Sequence, residues 1–463
     1  MQYGSRFSPV PLALALVFAA GTFSTPLQAQ EKVQPEEIPP QAVQPETARE
    51  QAAEQDAPVE WSFNAQLRPR LELRDNHSFG LADDELRYRG IYAPPGDTIS
   101  SVSQRSRLGV GAKAGDVSAL LQIQHAVEWG LFGGNALTDP VLFAHQAWLQ
   151  YKPSDTWWVR AGRQQLAYGE HRVLGTVGWT QVGRAWDALR FGFYPSDAFG
   201  VDVFAGRYNV GFENPAFEDV SLFNQDAWLT GAYFKIREVA QPALDEIDLY
   251  ALYDVQIDDL SDDQPNTRNL LGLGARLAGK WGLVDGLAEG VYELGSRCLP
   301  GPSGQCTDDT VDLSAWMIDT ELGFSVYEPA ALRLFVGYSR ATGDDPDTAD
   351  TNEAYFQFYP TAHKWMGLMD IIGPRSNVQE IKGGFSFKTG QFKLRESVHY
   401  FNRLEPESET VGLEFDTVAS AKLTEILDLG VGHGLFVPSD GISSGEEPDG
   451  VANWVYLQMN AVF

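Results

Sequence analysis

The chain is poor in sulfur, with two cysteines and five methionines in 463 residues. Two thiols cannot build a four-cysteine zinc site, hold an iron–sulfur cluster or staple a small disulfide-dense fold. Long apolar runs are missing too. A membrane helix needs roughly 20 apolar residues, and the stretch from Pro11 to Ala20 falls well short. Basic residues are scarce: 34 Lys and Arg stand against 63 Asp and Glu, a formal charge of −29. With no basic tract to release counterions from phosphates, nucleic acid is excluded as a partner. No Gly-x-Ser-x-Gly elbow, His-Glu-x-x-His or phosphate loop occurs, and His145, His171 and His399 lack metal-ligand spacing. No metal site and no catalytic residue is expected, although an enzyme of scattered residues is not removed by missing motifs.

Aromatic residues, in contrast, make up 12 %, with 12 Trp, and there are 45 Gly. The N-terminus has the layout of a secretory signal over residues 1–29: Arg6, the apolar run from Pro11, then Thr25-Pro26-Leu27-Gln28-Ala29. Residues 30–60 are rich in Glu, Gln, Pro and Ala, with almost no large apolar side chain. They cannot bury enough surface to offset chain entropy and read as a disordered periplasmic extension. An exported chain without a membrane helix is either soluble or crosses a membrane with strands.

Residues 61–463 carry a texture of alternating segments, about eighteen of them, each long enough to cross a bilayer as a tilted strand. In the last, Val455, Leu457, Met459, Ala461 and Phe463 share one parity, opposite Tyr456, Gln458 and Asn460. A soluble sheet ending on such a strand exposes an aggregating edge, whereas a closed barrel in lipid has no edge. A terminal Phe resembles the assembly signal read by the barrel assembly machinery of bacterial outer membranes. Connections after even-numbered segments are short, as in Gly115-Asp116 and Thr389-Gly390. Those after odd-numbered ones are generally longer and acidic, as in Asp83-Asp84-Glu85 and Asp344-Asp345. Sorting of this kind belongs to an all-β transmembrane antiparallel barrel of outer-membrane type, with both termini in the periplasm.

The polar parity of several segments repeats arginine. Arg68, Arg70 and Arg74 alternate with Leu67, Pro69, Leu71 and Leu73; Arg105, Arg107 and Lys113 oppose Leu108, Val110 and Ala112; Arg395 and Arg403 oppose Leu394 and Val398. We read these eight cations as lumenal. Glu72, Glu128, Glu414 and Asp416 lie on the same faces as expected partners holding them extended. Arginine suits an anion that sheds water at a constriction, because its planar fork matches a carboxylate.

The stretches His145–Tyr151, Arg160–Leu166, Tyr168–Arg172, Gly178–Gln181 and Gly183–Arg190 resemble the alginate-export family of outer-membrane porins. Looser similarity runs through Gly337–Gly343, Val398–Arg403, Val411–Asp416 and Gly434–Pro438 to the last strand. The resemblance implies an 18-stranded monomeric barrel with a basic lumen that conducts an anionic polysaccharide. It marks Arg163, Arg172, Arg184, Asp187 and Arg340 as family-motif positions. By parity Arg163 and Arg207 would point at lipid, unless a glycine bulge turns them inward or they snorkel at the strand end, and the orientation of Arg340 is left open. Where the alginate exporter has a basic strand, this chain reads Asp428-Leu429-Gly430-Val431-Gly432-His433, so the resemblance does not choose the saccharide. The expected function is a channel for an anionic poly- or oligosaccharide such as alginate-like uronates. The alternatives are a barrel enzyme acting on lipid or lipopolysaccharide, and a surface receptor or adhesin. Expected partners are outer-membrane lipid, lipopolysaccharide and the saccharide itself. No cofactor is expected beyond Ca²⁺ held loosely at acidic loops such as Asp344, Asp345, Asp347 and Asp350. Cys298 and Cys306, close in one loop of an exported chain, are expected to be oxidised to each other.

Overall fold

The computed structural model describes residues 58–81, 98–129, 141–208, 226–240, 244–257, 268–300, 306–445 and 447–463. The secretory signal, and the extension up to residue 57, lie outside the described residues. No helix among those residues is long and apolar enough to cross a membrane. The wall begins with β1 (Glu60–Asp75), β2 (Ile99–Ala114), β3 (Val117–Glu128), β4 (Val141–Tyr151), β5 (Trp157–Gln164) and β6 (Trp186–Ser196). It continues through β7 (Phe199–Tyr208), β8 (Asp226–Ala240), β9 (Leu244–Ile257), β10 (Arg268–Trp281), β11 (Val284–Pro300) and β12 (Cys306–Tyr327). It ends with β13 (Leu332–Ala341), β14 (Val378–Thr389), β15 (Phe392–Arg403), β16 (Glu409–Lys422), β17 (Leu427–Pro438) and β18 (Ala452–Val462).

Each strand pairs antiparallel with its sequence neighbours, and β18 returns to β1, with Leu457 opposite Leu71 and Asn453 opposite Asp75. The sheet is therefore a closed 18-stranded barrel. A two-residue segment, Thr351–Asn352, runs parallel against β12 at Asp312 and Leu313 and takes no part in the wall. Closure satisfies the backbone without an edge, which a strand in hydrocarbon requires. The apolar parity faces out: Phe63, Leu108 and Leu142 are 75, 67 and 69 % exposed, a state tolerable only against lipid. The polar parity faces in, so one period-two pattern serves two solvents.

The short connections include Gly115-Asp116, Gly282-Leu283 and Gly390-Gln391. Gly115, Gly282 and Gly390 all take positive φ (54°, 63° and 55°). Two-residue hairpins need that left-handed backbone, which glycine adopts without strain. At the other end, Pro300 of β11 pairs with Cys306 of β12. The Cys306 side chain lies outside the described residues. No free cysteine occurs among the described residues. We expect neither thiol to react when the unreduced protein is denatured, and quantitative labelling of both would overturn the pairing.

Candidate functional site

Two long connections fold into the barrel. One joins β5 to β6 (165–185) and the other joins β13 to β14 (342–377). They run side by side: Leu174 bridges Tyr359, Tyr359 N donates to the Val173 carbonyl at 2.9 Å, and Gly175 N donates to the Tyr359 carbonyl at 2.8 Å. Their apolar side chains pack onto the inner wall. Leu166, Val173, Leu174, Tyr355, Phe358 and Tyr359 join wall residues such as Trp186, Phe204, Leu229, Leu252, Leu270 and Met317 in one buried cluster. Met366, Met369, Ile371 and Ile372 join Phe401, Phe436 and Trp454 in a second. Burying these side chains stabilises an ordered inner structure that a water-filled lumen would not supply.

The β1–β2 wall carries the positive charge. Arg68, Arg70, Arg74 and Arg105 point inward and are buried. Their donors meet the first inner loop. Arg68 donates to the carbonyls of Gly178, Trp179 and Thr180 at 2.7, 2.8 and 2.8 Å. Arg70 donates to the Trp179 carbonyl at 2.7 Å, with its guanidinium 3.7 Å above the Trp179 ring. Arg105 reaches the Gly178 and Thr180 carbonyls at 3.3 Å. Arg107 donates to Gln124 at 2.7 Å. Among the expected carboxylates, Glu72 pairs with both Arg70 and Arg74, at 2.7 and 2.9 Å. Arg68, Arg70 and Arg105 thus grip backbone oxygens of a loop, which solvates their guanidinium groups without neutralising them, and the single carboxylate Glu72 leaves the group with an excess of positive charge.

Opposite lies an acidic wall. Asp319 of β12 binds Arg172 of the first loop at 2.9 Å and Arg375 of the second at 3.3 Å. Arg172 also stacks 3.9 Å over Trp365 and lies 3.9 Å from Glu289. Glu293 accepts from Phe356 N at 2.9 Å, and Asp254 accepts from the Tyr359 hydroxyl at 2.6 Å. Glu414 and Asp416 do not pair with arginines as expected. They cap the second loop, accepting from Met369 N at 2.8 Å and Leu368 N at 3.2 Å. Buried carboxylates need donors, and the loop backbone supplies them. The loops also hold each other through Lys364 and Glu170 at 3.3 Å. Burial pushes the Glu170 carboxyl up, but Lys364 and Arg276 pull it further down, below the ordinary range.

The remaining sequence-derived positions scatter. Arg403 pairs with Glu409 at 2.5 Å, and Arg395 lies 3.9 Å from Glu321 and 4.0 Å above Phe335. Lys113 sits by the short turns, opposite Glu60, and Glu128 closes the far end of β3 opposite Ser103. Arg184 belongs to the first inner loop and donates to the Pro360 carbonyl at 3.0 Å. Arg163 points outward despite the positive φ of Gly162 (116°). It is paired with Asp187 at 2.7 Å, and both are well exposed. Asp187 shares its parity with the exposed Leu189 and Phe191. Arg340 shares parity with the exposed Val336 and lies 5.7 Å over the outward Trp316. These motif positions therefore serve the outer face rather than the lumen. The acidic turn at Asp344 and Asp345 binds its own chain, through Glu353 N to Asp344 at 3.1 Å and Asp347 N to Asp345 at 2.9 Å. No cluster of metal-ligating side chains occurs among the described residues.

Sequence reasoning missed the acidic wall and the inner loops. The wall was visible: Glu289 and Glu293 in β11, and Asp319 and Glu321 in β12, sit at period two on the inward parity. The loops gave a weaker signal. Residues 355–372 hold Tyr355, Phe356, Phe358, Tyr359, Trp365 and Met369, too apolar for a solvated surface loop.

A model of the alginate export family matches residues 142–453, more than half of the chain. No curated protein sequence matches. Among solved structures, OpdK of Pseudomonas aeruginosa aligns with a TM-score of 0.59 at 8 % identity, over 87 % of this chain and 98 % of that one. OccAB1 of Acinetobacter baumannii gives 0.57 at 11 % identity, over 87 and 97 %. OccK2 of P. aeruginosa, solved in complex with glucuronate, gives 0.55 at 9 %, over 87 and 98 %. These identities speak to the fold.

Proposed function

The chain belongs to the alginate export family of outer-membrane channels, and we propose that it passes an anionic saccharide, of the uronate class, along its basic wall. The observation that carries this reading is the group Arg68, Arg70, Arg74, Arg105 and Arg107 with Glu72 as the paired carboxylate. The inner loops cover the acidic wall and also lie over Arg68, Arg70 and Arg105, so a permeant anion feels the excess positive charge of the β1–β2 wall through that cover and touches the wall beside it. Along β3 to β5, the inward Gln122, Gln146, Trp148, Gln150, Trp158 and Arg160 are each partly exposed. Amide, aromatic and guanidinium groups suit a hydroxylated acid better than a bare inorganic ion. One structural relative holds glucuronate, which supports the same chemistry.

In this reading the barrel acts as a monomer surrounded by lipid and lipopolysaccharide, with its short turns and both termini in the periplasm. Exposed loop acids are screened over roughly 8 Å in physiological salt. The narrow lumen is not, and its local charge sets selectivity. Reversal potentials of the purified barrel in a salt gradient should show anion preference despite a net charge of −29. Cation preference would overturn the reading.

A further inference from the structure

Near the short turns, two glycines let aromatic rings lie flat on the inner wall. Gly192 of β6 sits beneath the Trp158 indole, and Gly200 of β7 beneath the Tyr194 ring. A Cβ at either glycine would collide with the ring. Both glycines are buried, while Trp158 and Tyr194 remain partly exposed. Each ring thus rests one face on the wall and stays partly exposed, with Arg190 5.0 Å from the Trp158 ring centre and Lys235 5.5 Å from that of Tyr194.

Donors surround the pair. Arg160, in register with Gln150 and Arg190, donates to the Gln150 side-chain oxygen at 2.6 and 3.0 Å. It lies 4.0 Å over Trp148 and 5.5 Å from the Trp158 ring centre. It has no carboxylate within ion-pair distance among the described residues. Its neighbours differ in this respect: Arg190 and Lys235 both bind Asp202, at 2.6 and 3.4 Å. Tyr194 is fixed by its own hydroxyl, which donates to Asp202 at 2.7 Å. The Trp158 indole N–H has no partner among the described residues.

We propose that Trp158 and Tyr194 form a stacking platform at the short-turn mouth for one uronate ring, with Arg160 binding its carboxylate. This rests on the saccharide reading above and places a specific subsite within it. A pyranose presents a face of C–H groups, which complements the negative face of an aromatic ring. Arg160 offers a planar fork to a carboxylate, and Gln146 and Gln150 offer amides to hydroxyls. A stacked neutral sugar would keep the platform and lose the arginine. A small inorganic anion would keep the arginine and lose the platform. The two halves together select a sugar acid.

The test uses the full-length barrel in planar bilayers, with trigalacturonate or maltotriose added to each side in turn. Gel mobility before and after heating reports assembly of each variant. Trp158→Ala with Tyr194→Ala should shorten trigalacturonate blockades about tenfold, equivalent to roughly 1.4 kcal/mol. Arg160→Gln should shorten trigalacturonate blockades and leave those of maltotriose as they were. Unchanged trigalacturonate blockades in both variants of an anion-selective pore would overturn the platform while leaving the proposed function standing. If the barrel shows no anion preference, the proposed function fails on its own. Fluorescence titration of the solubilised protein with trigalacturonate then decides the subsite. Saturable binding lost in the double variant supports it, and no binding to the unmodified barrel overturns it.

Discussion

Replacing Arg70, Arg105 and Arg107 together by Glu should turn an anion-preferring pore toward cations, with at least about a tenfold change in relative permeability. The size follows from Coulomb's law. A charge about 6 Å from a permeant ion, at an effective dielectric constant of about 40, is worth about 1.4 kcal/mol, or tenfold. Three reversals change the wall by six units, and screening together with distance brings the sum back toward one such factor. The barrel should still assemble, because its ladder runs through backbone groups and none of the three side chains faces lipid. A second effect is expected from the same variant. Arg70 and Arg105 hold the carbonyls of Gly178, Trp179 and Thr180. Carboxylates there would repel those oxygens and release the segment, so open-state noise should rise with the selectivity change. Unchanged reversal potentials in an assembled triple variant would remove the basic wall as the selectivity element.

That variant also separates what was legible in the sequence from what was not. The barrel was readable because lipid and lumen impose opposite demands on alternate residues, so Leu67 to Arg74 or Val455 to Phe463 carries its orientation in its parity. Turn chemistry was readable because a two-residue hairpin leaves few choices, and Gly115 and Gly390 supply them. The inward direction of Arg68, Arg70 and Arg105 followed from the same parity. What they touch did not. Their partners are carbonyls 73 to 112 residues further on, and a backbone oxygen leaves no mark in the sequence. The outward Arg163 and Asp187 are the converse case. Parity alone pointed Arg163 at lipid while the glycine before it left an inward turn open, and its pairing with Asp187 on the outer face decides between the two. Glu414 and Asp416 were placed on the right face and given the wrong partners, since loop N–H groups of Leu368 and Met369 took the place expected of arginines.

Arg172→Ala should loosen both inner loops at once and convert a quiet channel into a flickering one. Arg172 and Asp319 are almost wholly buried, with side-chain exposures of 2 and 1 %. Removing one partner of such a pair costs about 3–5 kcal/mol, because the remaining charge stays buried without compensation. The loss falls on the loops rather than the barrel wall. Asp319 would keep only Arg375, at 3.3 Å, and Glu289 would lose its nearest loop cation. Trp365 would also lose the guanidinium stacked 3.9 Å from its ring. Since His171 and Gly175 are tied by backbone hydrogen bonds to Thr361 and Tyr359, release of the first loop drags on the second. Single-channel recordings of Arg172→Ala should therefore show a higher mean conductance with frequent transitions, and Arg172→Lys should lie between it and the unmodified pore. Proteolysis should cut within 165–185 or 342–377 in the variant and spare both in the parent. Traces and digestion patterns identical to those of the parent would show that the acidic wall does not hold the loops in place.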